Sequence, residues 1–200
     1  MPIPNKFEAI QALAVPKTHK QLLQFIVMIN FYRYMWQKRS EILAQLTALT
    51  SKNFKYDWKD EHQNFVDAIK RVIGREVFLA YLDFNAPFEI HTDDSKLQIG
   101  AFISQKSKPI AFYSRKMKIT QQNYTTTDKE LLYMVTTIKK FHNILLGHQI
   151  TVYTDHKNLT YKHFNTERVM HCCIILEEFG SEVKYIKGEN NVVFNSLSCL

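Results

Sequence analysis

The feature that most constrains this fold is a change of hydrophobic rhythm near Gly74. Before it, apolar residues recur every three or four positions, as on the buried face of a helix; after it they gather into strand-length runs rich in β-branched and aromatic side chains. In the first part, Thr18 with Gln21 three residues later has the form of a capping box, and Leu22, Phe25, Ile26, Ile29 and Tyr32 follow on one helical face. A second helix is predicted from about Ser40, with Ile42, Leu43, Leu46 and Leu49 on one side and a polar stop at Thr50 to Asn53. A third is predicted from about Asp60, with Gln63 completing a capping pattern and Phe65, Val66, Ile69, Val72 and Ile73 along one face. His19, Asp60, Glu61 and His62 lack metal-ligand spacing and read as caps or solvated positions.

Past residue 80 the runs Phe88 to Thr92, Ile99 to Gln105 and Pro109 to Ser114 predict an antiparallel meander. A long helix is expected from Gln121 to Leu146, with Tyr124, Leu131, Leu132, Val135, Ile138, Phe141 and Leu145 as its stripe and Gly147 as its stop. A strand at Ile150 to Thr154, helical material from Lys157 to Phe179, a strand at Glu182 to Ile186, a turn at Gly188 to Asn191 and a short terminal helix complete the chain. The order βββ-α-β-α-β-α requires a mixed sheet covered by helices, because the crossover between parallel strands must lie on a face of the sheet. The expected class is therefore α+β or α/β: a helical region over 1–80, then a five-stranded mixed sheet flanked by helices over 81–200.

Composition narrows the function classes. Apolar residues make up 46% and charged residues 22%, with five Gly and five Pro, which excludes collagen-like, low-complexity and disordered chains. Apolar stretches such as Leu22 to Ile29 are far shorter than a bilayer span, and the N-terminus lacks the pattern of a secretory signal. An intracellular protein, cytoplasmic or nuclear, is expected, with no membrane partner. Cys172, Cys173 and Cys199 cannot all pair within the chain and have no zinc spacing, so they read as small hydrophobes. A net charge of +7 favours a polyanionic partner.

Three acidic residues stand apart. Asp93 follows the first strand of the second region, Asp155 follows the fourth, and Glu130 lies beside the apolar stripe of the long helix. Singly, each reads as a turn former or a solvated helix position. Together, on a sheet whose first and fourth strands are neighbours, they converge. Converging carboxylates repel unless a cation neutralises them, so a divalent metal with hard oxygen ligands is expected, Mg2+ first.

The strings Phe88-Glu89-Ile90-His91-Thr92-Asp93-Asp94-Ser95, Ile99-Gly100-Ala101, Ala111 to Met117, Asn123-Tyr124, Lys129-Glu130-Leu131-Leu132, Tyr153 to Leu159 and Tyr185 to Asn190 resemble, in order, the ribonuclease H domain of gypsy-type LTR retrotransposon Pol polyproteins. The first region resembles the reverse-transcriptase thumb just upstream, through Ala9-Ile10, Pro16-Lys17-Thr18, Leu22 to Phe25, Asn30 to Arg33, Leu46 to Thr50, Trp58 and Phe65. The resemblance implies a ribonuclease H-like fold and an endonuclease that cuts the RNA strand of an RNA–DNA hybrid with two Mg2+ ions, roughly 4 Å apart, for which Mn2+ can substitute. It implies Asp93, Glu130 and Asp155 as catalytic metal ligands, and Ser95, Lys96, Lys157 and Asn158 as hybrid contacts, though a solvated-loop reading of those four is equally open. It further implies the polymerase portion of the polyprotein as a partner.

One departure bears on activity. The family carries a fourth carboxylate in a segment reading Asn-x-Val-Ala-Asp-x-Leu-Ser-Arg, and here Asn191-Val192-Val193-Phe194-Asn195-Ser196-Leu197-Ser198-Cys199 puts Asn195 at that catalytic, metal-binding place. The amide oxygen can still coordinate, but one negative charge is lost, and a loss of roughly 3–5 kcal/mol of transition-state stabilisation is about 10²–10⁴-fold in rate. Val27 in place of Gly, Cys199 in place of Arg, Asp94 in place of a small residue, and a start downstream of a polymerase palm point to a partial, degenerate copy of such an element. The expectations are an impaired nuclease or, alternatively, a noncatalytic nucleic-acid-binding remnant.

Overall fold

The meander and the crossover predicted past residue 80 form one five-stranded sheet. A computed structural model describes residues 12–35, 39–51, 56–74, 79–94, 98–160 and 166–187. The chain divides into two units, Met1–Phe78 and Leu79–Leu200.

The first unit holds helices α1 (His19–Phe31), α2 (Arg39–Ala48) and α3 (Asp60–Gly74). Thr18 caps α1 by accepting from Gln21 N–H, and the Gln21 side chain reaches back to Lys17 N–H, one residue before the reciprocal partner a capping box uses. Leu22, Phe25, Ile26 and Ile29, as the spacing predicts, are buried with Leu43 and Leu46 of α2 and Val66 and Ile69 of α3. Expected stripe positions Val72 and Ile73 lie outside the described side chains. The Asp60–Gln63 capping pattern does not form: Asp60 is already helical, where its charge suits the helix N-terminus, and His62 Nδ1 takes the Lys59 N–H at 2.9 Å.

In the second unit, β1 (Phe88–Asp94), β2 (Gln98–Gln105), β3 (Lys108–Lys116), β4 (Ile150–Thr154) and β5 (Ser181–Tyr185) lie in the order β3-β2-β1-β4-β5. The first three pair antiparallel, while β4 is parallel to both β1 and β5. Register is pinned by a ladder of rings across four strands: His91 stacks on Phe102 at 4.5 Å and on Tyr153 at 4.8 Å, and Phe102 meets Phe112 at 6.2 Å. The other face carries Phe88, Ile90, Ile99, Ile103, Ile150 and Val152, all buried. Lys106 and Ser107 close the β2–β3 hairpin with φ of 51° and 59°, the left-handed pair a two-residue turn requires.

The expected helix from Gln121 to Leu146 is three pieces: α4 (Ile119–Gln122), α5 (Thr126–Lys140) and α6 (His142–Leu145). Thr125 breaks it by accepting from Asp128 N–H as a fresh N-cap, and Phe141 interrupts it again before Gly147, at φ +81°, ends the segment as predicted. The helical stretch expected from Lys157 is likewise a 3-10 turn (Lys157–Thr160) and then α7 (Glu167–Glu178), capped by Thr166. Helix α5 buries Glu130, Leu131, Tyr133, Met134, Val135, Thr137 and Ile138, with Tyr133 packed on Ile99 and Met117. Arg168 of α7 lies 3.9 Å over the Tyr124 ring and 3.5 Å from Asp128, tying α7 to the start of α5. The turn and terminal helix expected after Gly188 lie outside the described residues. Among the described residues, no helix is long and apolar enough to cross a membrane.

Candidate active site

Three elements meet at the C-terminal ends of β1 and β4. The parallel register runs Phe88↔Ile150, Glu89↔Thr151, Ile90↔Val152 and His91↔Tyr153. Two steps beyond it, Asp93 on β1 and Asp155 just past β4 hold equivalent positions. Strand β1 reaches further than expected, so Asp93 is paired within the sheet, opposite Gly100, instead of following the strand. Its side chain lies outside the described set.

Glu130 comes from the buried face of α5 and is 1% exposed. The helical periodicity that places Leu131, Met134 and Ile138 against the sheet carries Glu130 there too. Thr92 Oγ1, on β1, donates to Glu130 Oε2 at 3.2 Å, and His156 Nδ1 lies 3.9 Å from Oε1. Asp155 is half-exposed, and its Oδ1 is 2.6 Å from the same His156 nitrogen. The buried Thr154 hydroxyl accepts from His156 N–H at 3.1 Å, turning the chain at the end of β4 so that the ring folds back beside its neighbour. Among the described residues, Glu130, Asp155 and His156 form a group with one donor atom from each lying within 4.8 Å of the others.

A carboxylate buried to this extent is expensive unless a cation or hydrogen bonds compensate it. Two carboxylates and an imidazole brought together from separate elements are a donor set that could hold a divalent cation. Of the other expected site residues, Lys157 opens the 3-10 turn and is exposed, while Asn158 follows it with its side chain outside the described set. Ser95, Lys96 and Asn195 lie outside the described residues. Sequence reasoning gave no role to Thr92 or His156. Their only signal was adjacency, Thr92 to Asp93 and His156 to Asp155.

Residues 58–152 match the family described as "RNase H-like domain found in reverse transcriptase", a span that includes Asp93 and Glu130 and stops short of Asp155. The retrovirus-related Pol polyprotein from transposon 297 of Drosophila melanogaster is 32% identical over 201 residues, covering 98% of this chain and 19% of the polyprotein. The transposon Tf2-3 polyprotein of Schizosaccharomyces pombe is 29% identical over 195 residues, covering 92% of this chain and 15% of its own. The chain thus spans a fifth or less of these relatives. Among solved structures, the foamy viral protease-reverse transcriptase in complex with RNA/DNA hybrid superposes with a TM-score of 0.77 at 24% identity, over 92% of this chain and 27% of that one. The same protein's dRH form in complex with double-stranded DNA gives 0.78 at 24% identity, over 92% and 34%. At that identity the superposition speaks for the fold, and it agrees with the mixed sheet and its helices. The family match and the relatives together show that the chain carries an RNase H-like domain of reverse transcriptase and is homologous to the Pol polyproteins of retrotransposons.

Proposed function

We propose that residues 81–200 are a metal-dependent endonuclease of the gypsy-type elements, acting on the RNA strand of RNA–DNA hybrids inside the cell, and that residues 1–80 are a thumb-like region serving the polymerase portion of a longer polyprotein. The observation that carries the reading is the buried Glu130 carboxylate brought beside Asp155 at the ends of two parallel strands. Asp93, Glu130 and Asp155 would hold Mg2+, with the Asn195 amide oxygen as a weaker fourth donor. When bound, the ion supplies positive charge to orient water and to stabilise the leaving oxygen. The chain's own contributions are to fix Glu130 through Thr92, to hold Asp155 at the strand end, and to grip the duplex through Ser95, Lys96, Lys157 and Asn158. Selectivity for RNA would come from contacts to ribose 2′-hydroxyls, which DNA lacks. The net charge of +7 supports binding through phosphates, weakening as salt rises.

The test is cleavage of a labelled RNA–DNA hybrid in Mg2+ by the purified chain, beside Asp155→Asn and Asn195→Asp. Cleavage by the parent that Asp155→Asn abolishes supports the nuclease, and cleavage by Asn195→Asp alone assigns the silencing to one amide. Because Asn195 precedes Ser196 and can deamidate, mass spectrometry of the parent accompanies the assay. A folded chain that binds hybrid in a salt-sensitive way and is not made to cut by Asn195→Asp is a nucleic-acid-binding remnant instead.

A further inference from the structure

The imidazole of His156 stands between two carboxylates, with one nitrogen, Nδ1, 2.6 Å from Asp155 Oδ1 and 3.9 Å from Glu130 Oε1. An ionised carboxylate only accepts hydrogen bonds, so in the short contact Nδ1 carries the hydrogen and donates. A contact between sequence neighbours at a half-exposed aspartate would ordinarily contribute little. Two observations separate this one from that case. Thr154 Oγ1 holds the His156 backbone N–H, fixing the point from which the ring projects, and the His156 side chain is only 27% exposed. The second carboxylate it faces is buried and fixed at its other oxygen by Thr92. Thr92 and Glu130 thus form one hydrogen-bonded pair and His156 and Asp155 another, and the two pairs face each other with His156 Nδ1 3.9 Å from Glu130 Oε1 where β1, α5 and the end of β4 meet.

We infer that His156 is a positioning residue for the proposed metal centre: donation from Nδ1 selects the Asp155 rotamer that faces Glu130, so that the two carboxylates are aligned before a cation arrives. Asp155 projects from an irregular segment, and an aspartate there has several staggered side-chain states open to it. Pinning one of them removes an ordering cost that metal binding would otherwise bear, and outer partners that orient ligating carboxylates act in this way. The inference rests on the metal-centre reading above and adds a residue that the carboxylate set does not include.

The test uses the full chain with Mn2+ as probe, bound ion being counted by loss of the free-ion paramagnetic resonance signal, in the parent and in His156→Asn, His156→Gln and His156→Ala. Asparagine places an amide N–H where Nδ1 stands, whereas glutamine carries its own one bond further out. The expected result is a dissociation constant raised about ten- to a hundredfold by Ala and Gln, with Asn within about threefold of the parent. Circular dichroism melting of each variant checks that the fold is kept. Unchanged affinity in His156→Ala overturns the inference and leaves the metal centre standing. Equal weakness of Asn and Ala also overturns it, because the ring nitrogen is then needed as a ligand in its own right. No Mn2+ binding by the parent removes the metal centre itself, and this inference with it.

Discussion

Replacing Glu130 by Gln should stabilise the metal-free protein. The amide oxygen can keep the Thr92 hydrogen bond while the negative charge is removed. The Glu130 and Asp155 oxygens lie within 4.8 Å of one another. At that separation two negative charges repel by about 0.9 kcal/mol with the dielectric of water and about 3.5 kcal/mol with an effective value near 20. Asp155 is half-exposed and His156 Nδ1 offsets part of the repulsion, so the lower half of that range applies, with the desolvation of Glu130 adding to it. We expect a gain of about 1–2 kcal/mol, a rise of about 3–10 °C in the melting point of a unit this size. Calorimetry with EDTA measures it. Both tryptophans, Trp36 and Trp58, fall within the first unit, so tryptophan fluorescence tells which transition belongs to the helices and which to the sheet. Added Mg2+ should then raise the parent's sheet transition, by about 2.7 kcal/mol at a hundred times the dissociation constant, and leave the variant's where it was. A lower melting point for Glu130→Gln in EDTA would refute the reasoning: it would mean that Thr92 and His156 already over-compensate the buried charge, making Glu130 part of a structural ion pair.

Three further outcomes follow from the same structure. Ser107→Gly relieves a left-handed φ of 59° in the β2–β3 turn and should add about 0.5–1 kcal/mol, read as a higher urea midpoint with unchanged slope. Gln105→Ala should cost about 2–4 kcal/mol in the same assay, because the buried amide donates to the Asp83 and Ala86 carbonyls and accepts from Asp83 N–H, holding the approach to β1 against the hairpin. Burial pushes the Cys172 thiol up, so iodoacetamide at pH 8 should label the half-buried Cys173 well before Cys172; peptide mapping that finds equal rates contradicts the packing of α7.

Much of the fold was legible because its signals are local. The stripe of α1 and its Thr18 cap, the meander runs and the Gly147 stop each follow from side-chain spacing or backbone freedom over a few residues. The break at Thr125 was missed because an apolar stripe tells which face is buried and says nothing of whether the backbone is continuous. Thr125 followed by Asp128 has the pattern of a helix start, and it stands inside a run of threonines that the apolar stripe spans. The ring ladder from Phe112 to Tyr153 needed strand register, which no single strand contains. For the candidate site, the convergence of Asp93, Glu130 and Asp155 takes β1 and β4 as neighbours, which the order of elements does not fix and the sheet order β3-β2-β1-β4-β5 supplies. The burial of Glu130 was not legible either, since a lone glutamate on a helix ordinarily faces water.

The burial of Glu130 links stability to the proposed chemistry. A carboxylate held by Thr92 at one oxygen and facing His156 at the other is pre-set for a cation, and its desolvation makes the metal-free state less stable. Each further carboxylate added to the site deepens that penalty while raising affinity for the ion. Asn195, if it occupies the fourth place, moves the balance the other way, easing repulsion in the metal-free protein and weakening the hold on Mg2+ in the same step. Slow cleavage and a tolerant fold would then share one origin, a single missing charge opposite the metal, without requiring any distortion of the β1–β4 frame on which Glu130 and Asp155 converge.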